Sequence, residues 1–197
     1  MKTLLKLICG GLLVIFAFLL VAPLQEVESE LNNKEFIINS PYKMTVLKLA
    51  KSNTLEKIVQ TNGGKIYNKQ WDKFVINADK IQLPLADASL EFSATGRFIV
   101  ETHIPYSHKA ILKFVQMVQA DKDELKVLTV LLEEDRAVRE HSTVMTFSKF
   151  GDKTKVKLSN RMVISLRMPL FWHEEFQARV DSINLSNQKY IVHLLEK

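Results

Sequence analysis

The C-terminal half of the chain shows two hydrophobic periodicities, one after the other. From about Leu90 to Leu166, apolar and polar residues largely alternate, which is typical of strands with one buried face. From about Leu170 to Leu195, apolar residues recur at intervals of three to five, which indicates one long amphipathic helix. An antiparallel sheet cannot bury its apolar face alone, so we expect the helix to cover the sheet. Any gap between the two would be an apolar cavity.

Turn residues divide the rest of the pattern into separate elements. Ser40-Pro41 suits the start of a helix, since serine caps a helix and proline fits its first turn. Two short helices are predicted over 42–51 and 55–60, and a loop over 78–89. Strands are predicted over 31–39, 65–77, 90–103, 110–120, 125–132, 138–150 and 154–166. The whole predicts an α+β fold with a seven-stranded antiparallel sheet wrapped around a long C-terminal helix.

The N-terminus has a different character from the rest. Lys2 and Lys6 precede a stretch, Leu7–Leu24, that contains no charged residue. As a helix these residues would span about 27 Å, close to the ~30 Å thickness of the hydrocarbon core of a bilayer. We therefore expect residues 1–24 to be a membrane anchor or signal segment, 25–30 a linker and 31–197 a single domain. A cleaved signal peptide is the alternative, and the uncleaved anchor is favoured because the apolar stretch is long.

The charges that flank the apolar stretch predict its orientation. Both lysines lie before it, whereas Glu26, Glu28 and Glu30 follow it without a basic residue until Lys34. Positive residues stay on the cytoplasmic side of a membrane helix. We therefore expect a single-pass protein with a cytoplasmic N-terminus and an extracytoplasmic domain, periplasmic or at the cell surface.

Charge and motifs exclude several classes of function. The net charge of +5 falls to +3 without Lys2 and Lys6, and no arginine-rich run or aromatic platform indicates nucleic-acid binding. Cys9 is the single cysteine, so no disulfide can form within the chain. The sequence contains no nucleophile elbow, phosphate loop or dinucleotide fingerprint, and its five histidines show no metal spacing. We therefore predict no catalytic residue, no metal ligand and no cofactor.

Polar residues at inward positions of the strands are better candidates for a ligand site. Asn160 interrupts the apolar face of the last strand, and the hairpin turn at Gly151-Asp152 brings His141 or Thr143 onto the same face. A buried polar group needs a partner, which would be a ligand, the local backbone or a water molecule. The residues predicted to line a cavity are Phe98, Phe114, His141, Thr143, Asn160, Met162, Phe176 and Val180. Phe171, on the predicted buried stripe of the helix, and Trp71 and Trp172 are assigned either to the cavity mouth or to the core.

The order of elements resembles the helix-grip fold of the START-like superfamily (SRPBCC), which includes polyketide cyclases and lipid-transfer domains. Two segments carry the resemblance: Phe36-Ile37-Ile38-Asn39-Ser40-Pro41, similar to the family's first strand and helix start, and the hairpin from Phe147 to Val156. It extends over about 31–197. The resemblance implies an apolar cavity between the sheet and the terminal helix that takes a lipid or another hydrophobic small molecule.

Three functions are compatible with these features. The favoured one is a membrane-anchored, extracytoplasmic module that binds a hydrophobic small molecule or lipid, attached to the membrane through residues 7–24. The first alternative is a non-catalytic interaction domain of the cell envelope with a closed core. The second is an enzyme of the cyclase or hydratase type, with His141 and Asn160 as its polar groups. The sequence favours a binding protein over an enzyme and identifies no protein partner.

Overall fold

The computed structural model of the protein describes residues 22–51, 60, 64–76, 92–103 and 109–196. Within these ranges, seven strands form one antiparallel sheet in the order β1-β7-β6-β5-β4-β3-β2. The strands are β1 (Leu24–Ile38), β2 (Lys65–Ile76), β3 (Phe92–His103), β4 (Lys109–Ala120), β5 (Glu124–Leu131), β6 (Val138–Phe150) and β7 (Lys153–Arg167). Helix α1 (Tyr42–Lys51) follows β1, and a 3₁₀ turn (Leu170–Trp172) leads from β7 into the C-terminal helix α2 (His173–Glu196).

The predicted fold class is confirmed. The protein has an α+β helix-grip fold, in which one face of the antiparallel sheet is covered by a C-terminal helix of 24 residues. The predicted strand over 138–150 coincides with β6 at both ends. The predicted hairpin turn is also present, and Gly151 adopts φ 63°, a left-handed conformation that glycine reaches without a Cβ clash.

The first strand is longer than predicted, and the assignment of residues 25–30 to a linker is wrong. β1 begins at Leu24 and pairs with β7 from Arg167 onward. Residues 26–30 alternate between outward glutamates and the inward side chains of Val27 and Ser29, which are 0% and 2% exposed. The alternation is that of a half-buried strand, but the three glutamates gave this segment the composition of a solvated linker.

The predicted membrane segment overlaps the folded domain at its C-terminal end. Ala22 is buried, and the carbonyl of Pro23 accepts a hydrogen bond from the backbone of Met168 at 3.3 Å. Residues 22–24 therefore belong to the domain, which corrects the predicted span of 7–24. Residues 1–21, the predicted loop over 78–89 and the predicted helix over 55–60, apart from Gln60, lie outside the described residues. No helix in the described ranges is long and apolar enough to cross a membrane.

The interior contains two clusters of buried apolar side chains at different levels of the sheet. The first cluster comprises Val27, Phe98, Val100, Ala110, Leu112, Phe114, Ala137, Val138, Ile164, Leu166, Met168, Phe176 and Val180. The second cluster comprises Ile38, Tyr42, Ala120, Leu125, Val127, Phe147, Val156 and Ile191. Both clusters involve α2, so the helix runs past both parts of the core.

Among the side chains that the structure describes here, Phe171 and Asn184 depart from a continuous apolar stripe on the helix. Phe171 is 72% exposed, because it lies in the 3₁₀ turn before the helix, where the helical spacing does not yet apply. Asn184 is 2% exposed, at a spacing of four residues from the buried Val180. A polar amide therefore occupies the middle of the face that α2 turns towards the sheet.

Candidate ligand-binding interior

A partly enclosed pocket of about 350 Å³ lies where β7 ends and α2 begins. Apolar side chains supply most of its wall, and three charged side chains also line it. Its lining residues are Leu166, Arg167, Met168, Trp172, Glu175, Phe176 and Arg179. A mostly apolar concavity with a few charged groups is the usual form of a small-molecule site.

Gln25 connects the elements that surround this pocket. Its side-chain amide donates a hydrogen bond to the carbonyl of Met168 at 3.0 Å. Its Oε1 lies 3.0 Å from Nδ1 of His173, the first residue of α2. One side chain of β1 thus holds both the segment that follows β7 and the start of the helix.

The predicted cavity residues are not all at this pocket. Phe98 and Phe114 are 4% and 6% exposed, and their rings stack with centroids 5.4 Å apart. Both rings and Val180 belong to the first cluster of buried apolar side chains, and Met162 packs against that cluster. Of the eight predicted residues, Phe176 lines the pocket described above. The two phenylalanine rings pack against each other, and the pocket described above lies nearer the N-terminal end of α2.

The two tryptophans occupy different environments. Trp172 lines the pocket and is 48% exposed, which places it at the cavity mouth, one of its two predicted positions. Trp71 lies in β2 at the far edge of the sheet and is 46% exposed. Its ring covers Gly96 so closely that a Cβ there would come within 2.7 Å of Cε3.

A row of polar side chains crosses the inner face of the sheet between the two apolar clusters. Strand pairing places Gln116 opposite Thr129, Thr129 opposite Thr143, and Thr143 opposite Asn160. We call these four residues, one on each of β4, β5, β6 and β7, the polar row. Gln116 and Thr129 are 9% and 8% exposed, and the amide of Gln116 donates to the Thr129 hydroxyl over 3.4 Å. The expectation that Thr143 shares the inner face with Asn160 is confirmed.

Asn160 also begins a chain of hydrogen bonds that leads to the protein surface. Its Nδ2 donates to Oδ1 of Asn184 at 2.5 Å, and Nδ2 of Asn184 donates to Oγ of Ser29 at 2.9 Å. The Ser29 hydroxyl donates to Oδ1 of Asp181 at 2.6 Å. These four residues, the amide chain, join β7, α2 and β1. The Oδ1 atom of Asn160 is buried and has no hydrogen-bond partner among the described residues.

His141 lies beside the polar row and is held between an aromatic ring and a hydroxyl. Its ring contacts Phe114 edge-on at 5.4 Å, and its Nε2 lies 3.2 Å from Oγ1 of Thr143. Burial lowers the pKa of His141 to about 4. The imidazole is therefore neutral at physiological pH, and its pKa is too low for an effective general acid or base there. Within the described residues, no group of three metal-ligating side chains comes together.

Sequence reasoning missed four polar residues of this interior: Gln116, Thr129, Asn184 and Ser29. Gln116 and Thr129 fall on the inward phase of their strands, which the alternation of β4 and β5 indicates. Asn184 follows Phe176 and Val180 at steps of four residues, so the helical spacing also indicates that Asn184 lies on the buried face of α2. Ser29 was hidden by the assignment of its segment to a linker.

Comparison with known proteins finds matches among solved structures. No family model and no curated protein matches the sequence. The solved structure of a START superfamily protein from Mycobacterium smegmatis is 12% identical, with a TM-score of 0.44, and the match covers 86% of this chain and 94% of that one. The Zhui aromatase/cyclase from Streptomyces sp. R1128 is 13% identical, with a TM-score of 0.44, over 88% of this chain and 94% of that one.

A third similar structure is a two-domain protein, the aromatase/cyclase StfQ of the steffimycin biosynthetic pathway. It is 9% identical, with a TM-score of 0.47, and the match covers 87% of this chain. The match covers 51% of StfQ, so this chain spans about half of that protein's length. At these levels of similarity, the assignment of a function depends on this chain's own residues.

Proposed function

We propose that this domain binds a hydrophobic small molecule or a lipid between the sheet and the C-terminal helix. The observation that carries the proposal is the pocket of about 350 Å³ at the start of α2, with Leu166, Met168 and Phe176 in its wall. A ligand that fills an apolar pocket removes its own apolar surface from water, which stabilises the complex by about 25 cal/mol per Å² of surface buried. The neutral state of His141 and the absence of a charged residue from the polar row favour binding over acid-base catalysis.

Native mass spectrometry of the full chain released from detergent tests this function. We expect a population of the protein that carries one apolar molecule. Met168→Trp places a larger side chain in the pocket and should lower the bound fraction at least severalfold. Leu132→Trp is the matched control, because Leu132 is 50% exposed and does not line the pocket. Equal bound fractions in the two variants would contradict binding at this site.

We further propose that the domain is attached to a membrane by the segment before Ala22 and lies outside the cytoplasm. Residues 4–21 contain one charged residue, Lys6, and as a helix would span about 27 Å. Exposed apolar side chains occur at the same end of the domain: Leu24, the first residue of β1, and the edge-to-face pair Phe171 and Trp172. Tryptophan favours the interface between a bilayer and water. In this orientation the pocket mouth opens towards the lipid.

The two tryptophans allow this orientation to be measured, since they are exposed to nearly the same extent, and Trp71 lies on the edge strand β2 whereas Trp172 follows β7 near the other end of the strand order. The Trp71→Phe protein keeps Trp172, and the Trp172→Phe protein keeps Trp71. In phosphatidylcholine vesicles with brominated acyl chains, we expect strong quenching of Trp172 and little quenching of Trp71. Protein that does not cofractionate with vesicles would contradict the anchor, whereas equal quenching of both residues would contradict the orientation. Protease added outside cells should reach the domain if it is extracytoplasmic.

A further inference from the structure

The polar row is an unusual feature for a core of this composition. Four adjacent strands each place a polar side chain at the same level, with apolar clusters on both sides. The hydrogen bonding within the row is sparse, since the contact of Gln116 with Thr129 is long at 3.4 Å. One acceptor of the row, Oδ1 of Asn160, is buried without a partner among the described residues. An unpaired buried acceptor lowers the stability of a fold, so it points to a role other than folding.

The amide chain defines which kind of group is missing at the row. Asp181 ends the chain with a carboxylate, which only accepts hydrogen bonds when ionised, so the Ser29 hydroxyl must donate to it. The hydroxyl has a single proton, so towards Asn184 it accepts, and the amide nitrogen of Asn184 donates. The carbonyl of Asn184 then accepts from the amide nitrogen of Asn160. The orientation of every member follows from the charge at the surface.

This orientation leaves the carbonyl oxygen of Asn160 as the free end of the chain. That oxygen is buried without a partner among the described residues, and it is an acceptor. Aligned hydrogen bonds polarise one another, so the amide of Asn160 responds to the whole chain and not to Asn184 alone. The group that completes the chain must therefore be a donor, such as a hydroxyl or an N–H.

We propose that the interior recognises an apolar ligand with a hydroxyl group in the middle of its length, which donates a hydrogen bond to Oδ1 of Asn160. The apolar parts on either side of the hydroxyl would contact the first and second clusters, which flank the polar row in the same order. This inference rests on the proposed binding function and adds the chemistry of the ligand.

The lining of the pocket does not include Asn160, whose Oδ1 is buried, so a ligand reaches this amide by displacing neighbouring side chains. The neighbours of Asn160 on the inner face, Thr143 opposite it and Met162 next along β7, are only partly buried although they point inward. Leu166, in the wall of the pocket, lies about 20 Å further along β7 at ~3.3 Å per residue. Met162 lies between the two places, and a methionine side chain repacks more easily than a branched one. A flexible chain that enters at the pocket can therefore extend to the polar row.

Two matched probes test the proposal on the full chain. Methyl 12-hydroxystearate carries a hydroxyl between two apolar segments, and methyl 12-methoxystearate has the same skeleton without the donor. When the two probes compete for the wild-type protein, native mass spectrometry gives the ratio of their affinities. This measurement requires no variant. We expect the alcohol to bind at least about fivefold more tightly, since a buried acceptor gains its partner only from the alcohol.

A double variant separates ligand recognition from a purely structural role. The double variant Asn160→Leu with Asn184→Leu removes both amides together, so neither amide is left buried without its hydrogen-bond partner. The hydroxyl of Ser29 still donates its hydrogen bond to Asp181. We expect the protein to remain folded by circular dichroism, to bind both probes and to lose the preference for the alcohol. Thr45→Val, at a buried hydroxyl that contacts Thr154 away from the row, is the control that keeps the preference.

The outcomes distinguish this inference from the function on which it rests. Preference for the alcohol in wild type that disappears in the double variant supports both. Equal binding of the two probes to wild type overturns the inference and leaves the binding function in place. Failure of both probes to bind wild type overturns the inference and counts against the function as well. If the double variant still prefers the alcohol, the ligand hydroxyl donates to another acceptor, and the role of Asn160 is overturned.

Discussion

His141 makes the stability of the fold depend on pH in a defined window. Burial lowers its pKa from 6.5 to about 4 in the folded chain. The unfolded chain therefore takes up a proton at this residue as the pH falls through 6.5, and the folded chain does so only near 4. The stabilisation that follows from the neutral imidazole is fully present above pH 6.5 and is lost as the pH falls towards 4. Over the whole window this amounts to about 3 kcal/mol.

His141→Phe removes the titrating group and keeps a ring against Phe114. Between pH 7 and pH 5, the pKa values above predict that wild type loses about 2 kcal/mol of unfolding free energy through His141. The variant should lack that loss. Lysine partners hold the pKa values of Glu35 and Glu101 below their ordinary value of 4.5, so both carboxylates titrate below this interval.

Chemical denaturation followed by circular dichroism at pH 7, 6 and 5 measures the difference. His193→Gln changes an exposed histidine of α2 and is the control that should follow wild type. The reasoning is refuted if wild type and His141→Phe lose the same unfolding free energy between pH 7 and 5. A variant that is less stable at every pH but has the wild-type slope would also refute it.

Three further substitutions test the packing by denaturant-induced unfolding. Val27→Ala should lower the unfolding free energy by about 2 kcal/mol, because Val27 is 0% exposed in β1, whereas Glu26→Ala should change it very little. Equally small effects of the two substitutions would indicate that this segment is a linker after all. Phe147→Ala should cost about 3–5 kcal/mol in the second cluster, and Phe150→Ala, at a residue 53% exposed, well under 1 kcal/mol. Thr154→Val should cost about 1–3 kcal/mol, since its buried hydroxyl donates to the Ser40 carbonyl at 2.7 Å and contacts Thr45. Thr146→Val, at a partly buried threonine of β6, is the control, and an equal loss in the two variants would contradict this role.

The sheet could be predicted from the sequence because alternation is a local signal. The pattern of Val156, Leu158, Ile164 and Leu166 identified β7, and the Gly151-Asp152 turn fixed its pairing with β6. The same reasoning predicts that His141 or Thr143 shares a face with Asn160, and Thr143 lies directly opposite Asn160. The prediction failed at the start of β1, where the alternation is present but three glutamates gave the segment the composition of a solvated linker.

The site was less predictable because its geometry depends on contacts between distant segments. The amide chain joins Ser29 to Asn184 across 155 positions of sequence, and no local pattern records that meeting. Phe98 and Phe114 were predicted to line a cavity because they point inward. Whether inward side chains line a space or fill it depends on their neighbours, and here the two rings stack on each other. The pocket forms instead at a chain junction, around Met168 and Phe176.

Contacts between a bound ligand and the methionine methyl groups test the central claim most directly. With [methyl-¹³C]methionine in the full chain and methyl 12-hydroxystearate as ligand, nuclear Overhauser effects report which methyl groups the ligand approaches. Ligand binding between sheet and helix predicts contacts to Met168, in the pocket, and to Met162, and none to Met44 or Met117, which are 51% and 41% exposed. Contacts confined to Met44 and Met117, or no contacts in protein saturated with the ligand, would contradict it.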